Sequence, residues 1–248
     1  MKDTYTNYIF DLYGTLVDIW TNEKAYAFWQ SFSFFLTQYG KEVKPFTLRN
    51  AYLSLVHQKE EEMRREKGYD LIEIDIRDVF KDLLEPIKVD EEEMQKICTS
   101  FRRLSLKRLK AYENTIEVLE YLKKRGKKIY LLSNAQSSFS MQELMDTGVL
   151  PYFDAIYISS VYGMKKPHPQ FMEVLLKEQG LNKEECVMIG NDLRSDILIA
   201  QLWDMDSIYL NTFHLSAQRK ARQMKVYRKI ADIRVYDDGD ILHVKEFV

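Results

Sequence analysis

At 248 residues, 46% hydrophobic and 30% charged, the chain can bury the core of one large α/β domain, or of a core domain with a smaller insert, and is not a disordered segment. Lys and Arg number 36 against 38 Asp and Glu, a formal net charge of −2, so neither a strong basic field for nucleic acid nor an acidic tail is present. The two cysteines, Cys98 and Cys186, form no CxxC pair, which argues against a disulfide framework or a zinc knuckle and fits a reducing compartment.

The first residues are polar, and no apolar run approaches the roughly 18 residues of a membrane span, so a cytoplasmic protein that engages no membrane is expected. The first strand covers residues 8–13, an apolar run broken by Asp11 and followed at once by Gly14-Thr15. A charge at the end of a strand buried on both faces is costly unless it is paired, metal-bound or used in chemistry, which makes Asp11 a site candidate. Residues 19–110 then read as helix throughout, without a strand run. In 23–39, Ala27, Phe28, Phe32, Phe35, Leu36 and Tyr39 recur at steps of three and four, the spacing of one helix face. Further helices are expected over 47–67, 74–84 and 90–110, all four packing as a bundle beside the sheet. The aromatic stripe reads as bundle core, with Trp20, Tyr26 and Trp29 as candidates to face a cleft. The charges of 60–67 fall four apart, as on a solvated helix face.

Strand runs at 128–133, 155–159, 186–190 and 207–211 alternate with helical patterns. The basic run 123–128 reads as a helix C-terminus with Gly126 as its cap, and the basic stretch 219–229 calls for no nucleic-acid partner. The expected architecture is α/β: a Rossmann-like, doubly wound parallel sheet of residues 1–18 and 111–248, carrying an inserted four-helix bundle of residues 19–110.

Ligands of an open parallel sheet collect outside the carboxyl ends of its strands, and each such end here is polar. Asp11 ends the first strand, Ser133-Asn134 the second and Gly190-Asn191-Asp192 the fourth, with Asp196 a helical turn further on. Lys165-Lys166-Pro167 lies in the loop after the third, where Lys166 is favoured by its proline neighbour. A nucleophilic carboxylate, a hydroxyl, a lysine and a carboxylate pair suit attack by aspartate on an anionic substrate, with a hard divalent cation bridging carboxylates.

In this order and spacing, Asp11-Leu12-Tyr13-Gly14-Thr15, Leu132-Ser133-Asn134, Lys166-Pro167 and Gly190 to Asp196 resemble the four motifs of the haloacid dehalogenase superfamily. The helical insert after the first motif resembles that family's cap domain. The resemblance spans essentially the whole chain. It implies that Asp11 forms a covalent aspartyl intermediate, that Ser133 hydrogen-bonds the anion, and that Lys166 neutralises charge between the anion and Asp11. It further implies that Thr15 and Asn134 orient the nucleophile and its loop, and that Mg²⁺ is held by Asp11, the Tyr13 carbonyl and Asp192, with Asp196 beside the metal or just behind it.

Three positions depart from the family's phosphatases or dehalogenases. Tyr13 stands where the phosphatases carry a second aspartate that protonates the leaving group; it resembles the 2-haloacid dehalogenases, whose halide needs no proton. A phenol of pKa about 10 is a poor general base at neutral pH. Asn191 stands in the slot after glycine where the phosphatases place their first acid, with Asp192 next; charge favours Asp192 as the residue facing the metal. Met172 stands six residues after Lys166, where dehalogenases tend to carry tyrosine. The acidic fourth motif tips the expectation to a Mg²⁺-dependent phosphatase of a small phosphorylated metabolite, with a bias toward leaving groups that depart without a proton. The alternatives are a dehalogenase-like C–halogen hydrolase, and a binding or regulatory protein on the same fold.

Overall fold

The computed structural model describes residues 2, 4–225 and 232–248. In chain order the elements are β1 (Asn7–Phe10), β2 (Val17–Thr21), α1 (Tyr26–Leu36), α2 (Pro45–Lys67), α3 (Ile76–Leu84), α4 (Glu91–Ser105), β3 (Leu106–Ala111), α5 (Thr115–Lys124), β4 (Lys128–Ser133) and α6 (Ser137–Asp146). There follow β5 (Ala155–Ile158), α7 (Ser159–Tyr162), α8 (Pro169–Glu178), β6 (Cys186–Gly190), α9 (Leu198–Leu202), β7 (Ser207–Leu210), α10 (Ala217–Met224) and β8 (Ile233–Tyr236). A six-stranded sheet runs in the order β5-β4-β1-β6-β7-β8, and every pairing in it is parallel.

β1 lies at the centre because its residues are apolar on both faces. Tyr8 and Phe10 enter the core formed with α5 and the C-terminal turn Ile241–Phe247, while Ile9 enters the opposite core with Phe171, Leu175 and Ile199. This two-faced burial places Asp11 at the carboxyl rim, between the ends of β4 and β6. Five strands lie where the sequence patterns predict them. The sixth, β8, carries no apolar run: it is an edge strand with a half-exposed Val235 and an outward Arg234. Of the basic stretch 219–229, the part at 226–229 lies outside the described residues; within it, Lys220 pairs with Asp237.

Between β1 and α5 stand the helices α1 to α4, packed around Phe28, Trp29, Phe32, Tyr52, Phe80 and Phe101. Trp29, expected as a cleft residue, is instead buried in this core, with Nε1 donating to the Glu23 carbonyl at 2.7 Å. Trp20 and Tyr26 are exposed. The expectation of helix to residue 110 is corrected: α4 stops at Ser105, and β3 pairs antiparallel with β2 as a two-stranded ribbon. Leu106 and Leu109 stand three apart, a helical spacing in place of a strand's alternation, which disguises the strand. Both expected boundaries, 18/19 and 110/111, therefore fall inside the ribbon that connects the helices to the sheet. α4 begins with a reciprocal cap, Asp90 accepting from Glu93 N and Glu93 accepting from Asp90 N.

Candidate active site

The loop after β1 is wound tightly, with the Leu12 carbonyl accepting from the amides of Leu16 and Val17 at 2.9 Å each. Gly14 has φ +86°, and a Cβ there would meet Asn191 Nδ2 at 2.1 Å, so only glycine lets the two loops approach. Thr15 Oγ1 lies 3.2 Å from Asp11 Oδ2, to which it donates, and 3.4 Å from Asn191 Oδ1. On the other side, Lys166 Nζ donates to Asp11 Oδ1 at 2.8 Å and to the Leu132 carbonyl at 2.6 Å, and pairs with Asp196 Oδ1 at 2.7 Å. Lys166, not Lys165, thus reaches the carboxylates.

Asn134 clamps the backbone of Lys166: its Oδ1 accepts from Lys166 N at 2.7 Å and its Nδ2 donates to Lys166 O at 3.0 Å. Ser133 Oγ, at the end of β4, is buried with no hydrogen-bond partner. A buried hydroxyl without a partner is costly, so a donor held at the sheet's rim is suited to an incoming anion. Asp196 is seated against Gly190, where a Cβ would meet its carboxylate at 2.3 Å. Its Oδ2 accepts from the amides of Asn191 and Asp192 at 3.1 and 3.0 Å, and its Oδ1 also accepts from Ser195 Oγ at 3.1 Å.

Asp192 and Asp196, expected beside one cation, are placed differently by this geometry. A single π-helical turn over Leu193–Ile197 carries Asp196 inward, whereas Asp192 is exposed and its Oδ1 caps the Arg194 amide at 2.8 Å. Asn191 is the residue that faces the nucleophile loop. Thr212, which the sequence gives no signal for, secures it: Thr212 Oγ1 donates to the Gly14 carbonyl at 2.5 Å and accepts from Asn191 Nδ2 at 3.2 Å.

Two buried carboxylates, Asp11 and Asp196, face one ammonium, which leaves one negative charge in the cluster. Burial, then the charge of Asp196, raises the Asp11 pKa against the opposing pull of Lys166. Burial alone would lower the Lys166 pKa, but Asp11 and Asp196 outweigh it and hold the amine protonated. Among the described residues no group of three or more His, Cys, Asp or Glu side chains converges as a metal cage. Asp11 and Asn191 each bring a hard oxygen to Thr15, and with the Tyr13 carbonyl that the family resemblance implies they could hold Mg²⁺. Mg²⁺ binds through one or two carboxylates and keeps several waters, so this one-carboxylate set fits it. Asp196 accepts from the Asn191 and Asp192 amides and Ser195 Oγ besides pairing with Lys166, and adds its negative charge to the cluster.

Tyr13 is held away from acid–base duty. Its hydroxyl donates to Glu143 Oε2, and Glu143 Oε1 accepts from Arg102 Nε at 2.7 Å. Burial and the neighbouring Glu143 raise the phenol's pKa well above its ordinary value. Glu143 and Arg102 lie in helices whose periodicity gives no hint that they meet. Met172 is fully buried beneath the sheet on α8, away from the rim.

A family model described as haloacid dehalogenase-like hydrolase matches residues 5–202. Over 140 residues the chain is 30% identical to a glyceraldehyde 3-phosphate phosphatase of Methanothermobacter thermautotrophicus, a match covering 56% of this chain and 59% of that protein. The chain thus spans less than two thirds of that relative's length. A HAD phosphatase from Thermococcus onnurineus superimposes with a TM-score of 0.59 at 19% identity, covering 99% of this chain and 98% of that one. L-2-haloacid dehalogenase from Xanthobacter autotrophicus superimposes with a TM-score of 0.56 at 18% identity, covering 98% of each chain. At these identities the likeness is one of fold.

Proposed function

We propose that this chain, which belongs to the haloacid dehalogenase-like hydrolase family, is a phosphatase acting on a small phosphorylated metabolite through an aspartyl phosphate. The observation that carries the reading is Lys166 Nζ bridging Asp11 and Asp196 beside the unpartnered hydroxyl of Ser133, an arrangement made for an oxyanion next to a carboxylate nucleophile. The similarity to a glyceraldehyde 3-phosphate phosphatase supports a phosphorylated substrate of small size.

Asp11 attacks phosphorus through one carboxylate oxygen; the bond to the leaving oxygen breaks, and water then cleaves the acyl phosphate to release inorganic phosphate and regenerate Asp11. Lys166 and Ser133 bind phosphoryl oxygens, while Thr15 keeps the Asp11 carboxylate turned outward and Asn134 holds the Lys166 backbone. Mg²⁺, held by Asp11, the Tyr13 carbonyl and Asn191, would supply charge neutralisation on the transferring group. Because the Tyr13 hydroxyl is engaged by Glu143, no side chain at that position gives a proton to the leaving group. Acyl and aryl phosphates, which leave unprotonated, should then turn over faster than alkyl phosphates.

The test is hydrolysis of p-nitrophenyl phosphate with and without Mg²⁺, in wild type and Asp11→Asn. Chelator-sensitive turnover that falls at least ~10³-fold in the variant is expected; equal rates in both proteins would refute the reading. Tyr13 and Asn191 favour a second reading, C–halogen hydrolysis, which predicts chelator-insensitive chloride release from a 2-chloroalkanoate.

A further inference from the structure

We propose that Thr212 is a positioning residue for the Mg²⁺ site: by holding the Asn191 side-chain amide at its NH₂ end, it turns the oxygen of that amide, Oδ1, toward Asp11. The proposal rests on the Mg²⁺-dependent reading above. An amide has nearly the same shape either way round, so its orientation is set by which neighbours can donate and which can only accept.

At the Thr15 end nothing demands an oxygen. Thr15 Oγ1 has one proton and lies 3.2 Å from Asp11 Oδ2 but 3.4 Å from Asn191 Oδ1, so the carboxylate has the stronger claim on it. The cluster of Asp11, Asp196 and Lys166 carries one surplus negative charge, which by itself would draw the Asn191 NH₂ inward and set its N–H groups against an incoming cation. The Thr212 end is different. There the hydroxyl proton is committed to the Gly14 carbonyl, which can only accept, at 2.5 Å. Toward Asn191, 3.2 Å away, Thr212 Oγ1 is left to accept, and the group that meets it must be Nδ2. The Tyr112 hydroxyl also interacts with Thr212; a phenol brings its own proton to that contact, so Gly14 keeps the one from Thr212. Asn191 is buried, so bulk water does not replace a lost partner.

Thr212 can serve as a fixed point because the loop after β7 is itself tied down. Thr212 N donates to Leu210 O and Asn211 N to Tyr236 O, each at 2.9 Å. The Asn211 side chain spans the loop, its Oδ1 accepting from Leu215 N at 2.7 Å and its Nδ2 donating to Leu215 O at 3.0 Å. Gly239 lies against the turn, where a Cβ would meet Thr212 N and Cα at 2.9 Å. All of these residues belong to the sheet and its loops, so the orientation holds wherever the helices α1 to α4 sit.

The test uses the full chain. Without metal, nuclear Overhauser intensities from the Asn191 Hδ2 protons should be stronger to the Thr212 methyl than to the Thr15 methyl. In calorimetric titration with Mg²⁺, Thr212→Val should raise the dissociation constant about 10- to 100-fold, the usual cost of losing a residue that orients a ligand, while Thr212→Ser should stay within about threefold of wild type. In an Asn191→Asp background the two side-chain oxygens are alike and orientation no longer matters, so Thr212→Val should there change the constant less than about threefold. A purely structural role, supporting Gly14 in either background, would give the same loss in both and would overturn the proposal, as would Hδ2 protons lying nearer Thr15. A wild type that takes up no Mg²⁺ overturns the metal-dependent reading, whereas Hδ2 protons beside Thr212 would keep the orientation itself.

Discussion

Asn191 sets this site apart at the scale of a single residue. Its Oδ1 shares Thr15 with the Asp11 carboxylate, so an amide stands where a carboxylate would add a second charge to the proposed Mg²⁺ site. Hard divalent ions are held chiefly by ligand charge, and an isosteric carboxylate here should tighten the site. Asn191→Asp is therefore expected to lower the Mg²⁺ dissociation constant about tenfold by titration calorimetry, and to lower stability in the absence of the ion through repulsion with Asp11; an unchanged constant would show that Asn191 does not reach the metal. Asp11, Ser133 and Asn134 were legible in the sequence because a polar residue ending an apolar strand has few cheap explanations, and Lys166 stood out only by its proline neighbour and its place in the order of motifs. The choice between Asn191 and Asp192 was not legible: it is made where the chain leaves β6, Asn191 meeting Thr15 and Thr212 while Asp192 turns to cap the Arg194 amide, and composition carries no trace of it. Nor were Glu143 and Arg102 legible, since each sits in an ordinary helix and their meeting with Tyr13 depends on how two layers dock.

At the scale of elements, β4 and β6 have the bounds their β-branched and aromatic runs predict, and α1 to α4 lie near the expected segments. The ribbon β2–β3 and the edge strand β8 were hidden because half-exposed strands need no continuous apolar run. The C-terminal turn offers a test of local electrostatics. His243 lies 2.8 Å from both Asp238 and Glu246 and stacks on Tyr236, at 3.9 Å between ring centres. Partial burial opposes its protonation, but the two carboxylates prevail and its pKa is raised. A raised folded-state pKa means that the added stability is complete below the unfolded value of about 6.5 and is lost as pH climbs through the folded value. The melting-temperature advantage of wild type over His243→Ala should accordingly shrink between pH 6 and pH 9; a constant gap would show that the pairs carry no pH-dependent stability.

At the scale of the whole molecule, the strand order places β1 between β4 and β6, which gathers motif residues more than a hundred positions apart at one rim. The gathering at the carboxyl rim follows from the rules of parallel sheets and was readable from strand ends, whereas the strand order was not. What those rules leave open is how the helices between β1 and α5 sit on the rim. Phe139 answers it: a ring from the sheet's own helix plugs the aromatic interior of the other layer. Two bodies that share an interior forfeit their independence when heated. Calorimetry should record one endotherm instead of two, and a protease that clips the β2–β3 ribbon should free no durable helical fragment, because neither half keeps a closed interior once the other has gone.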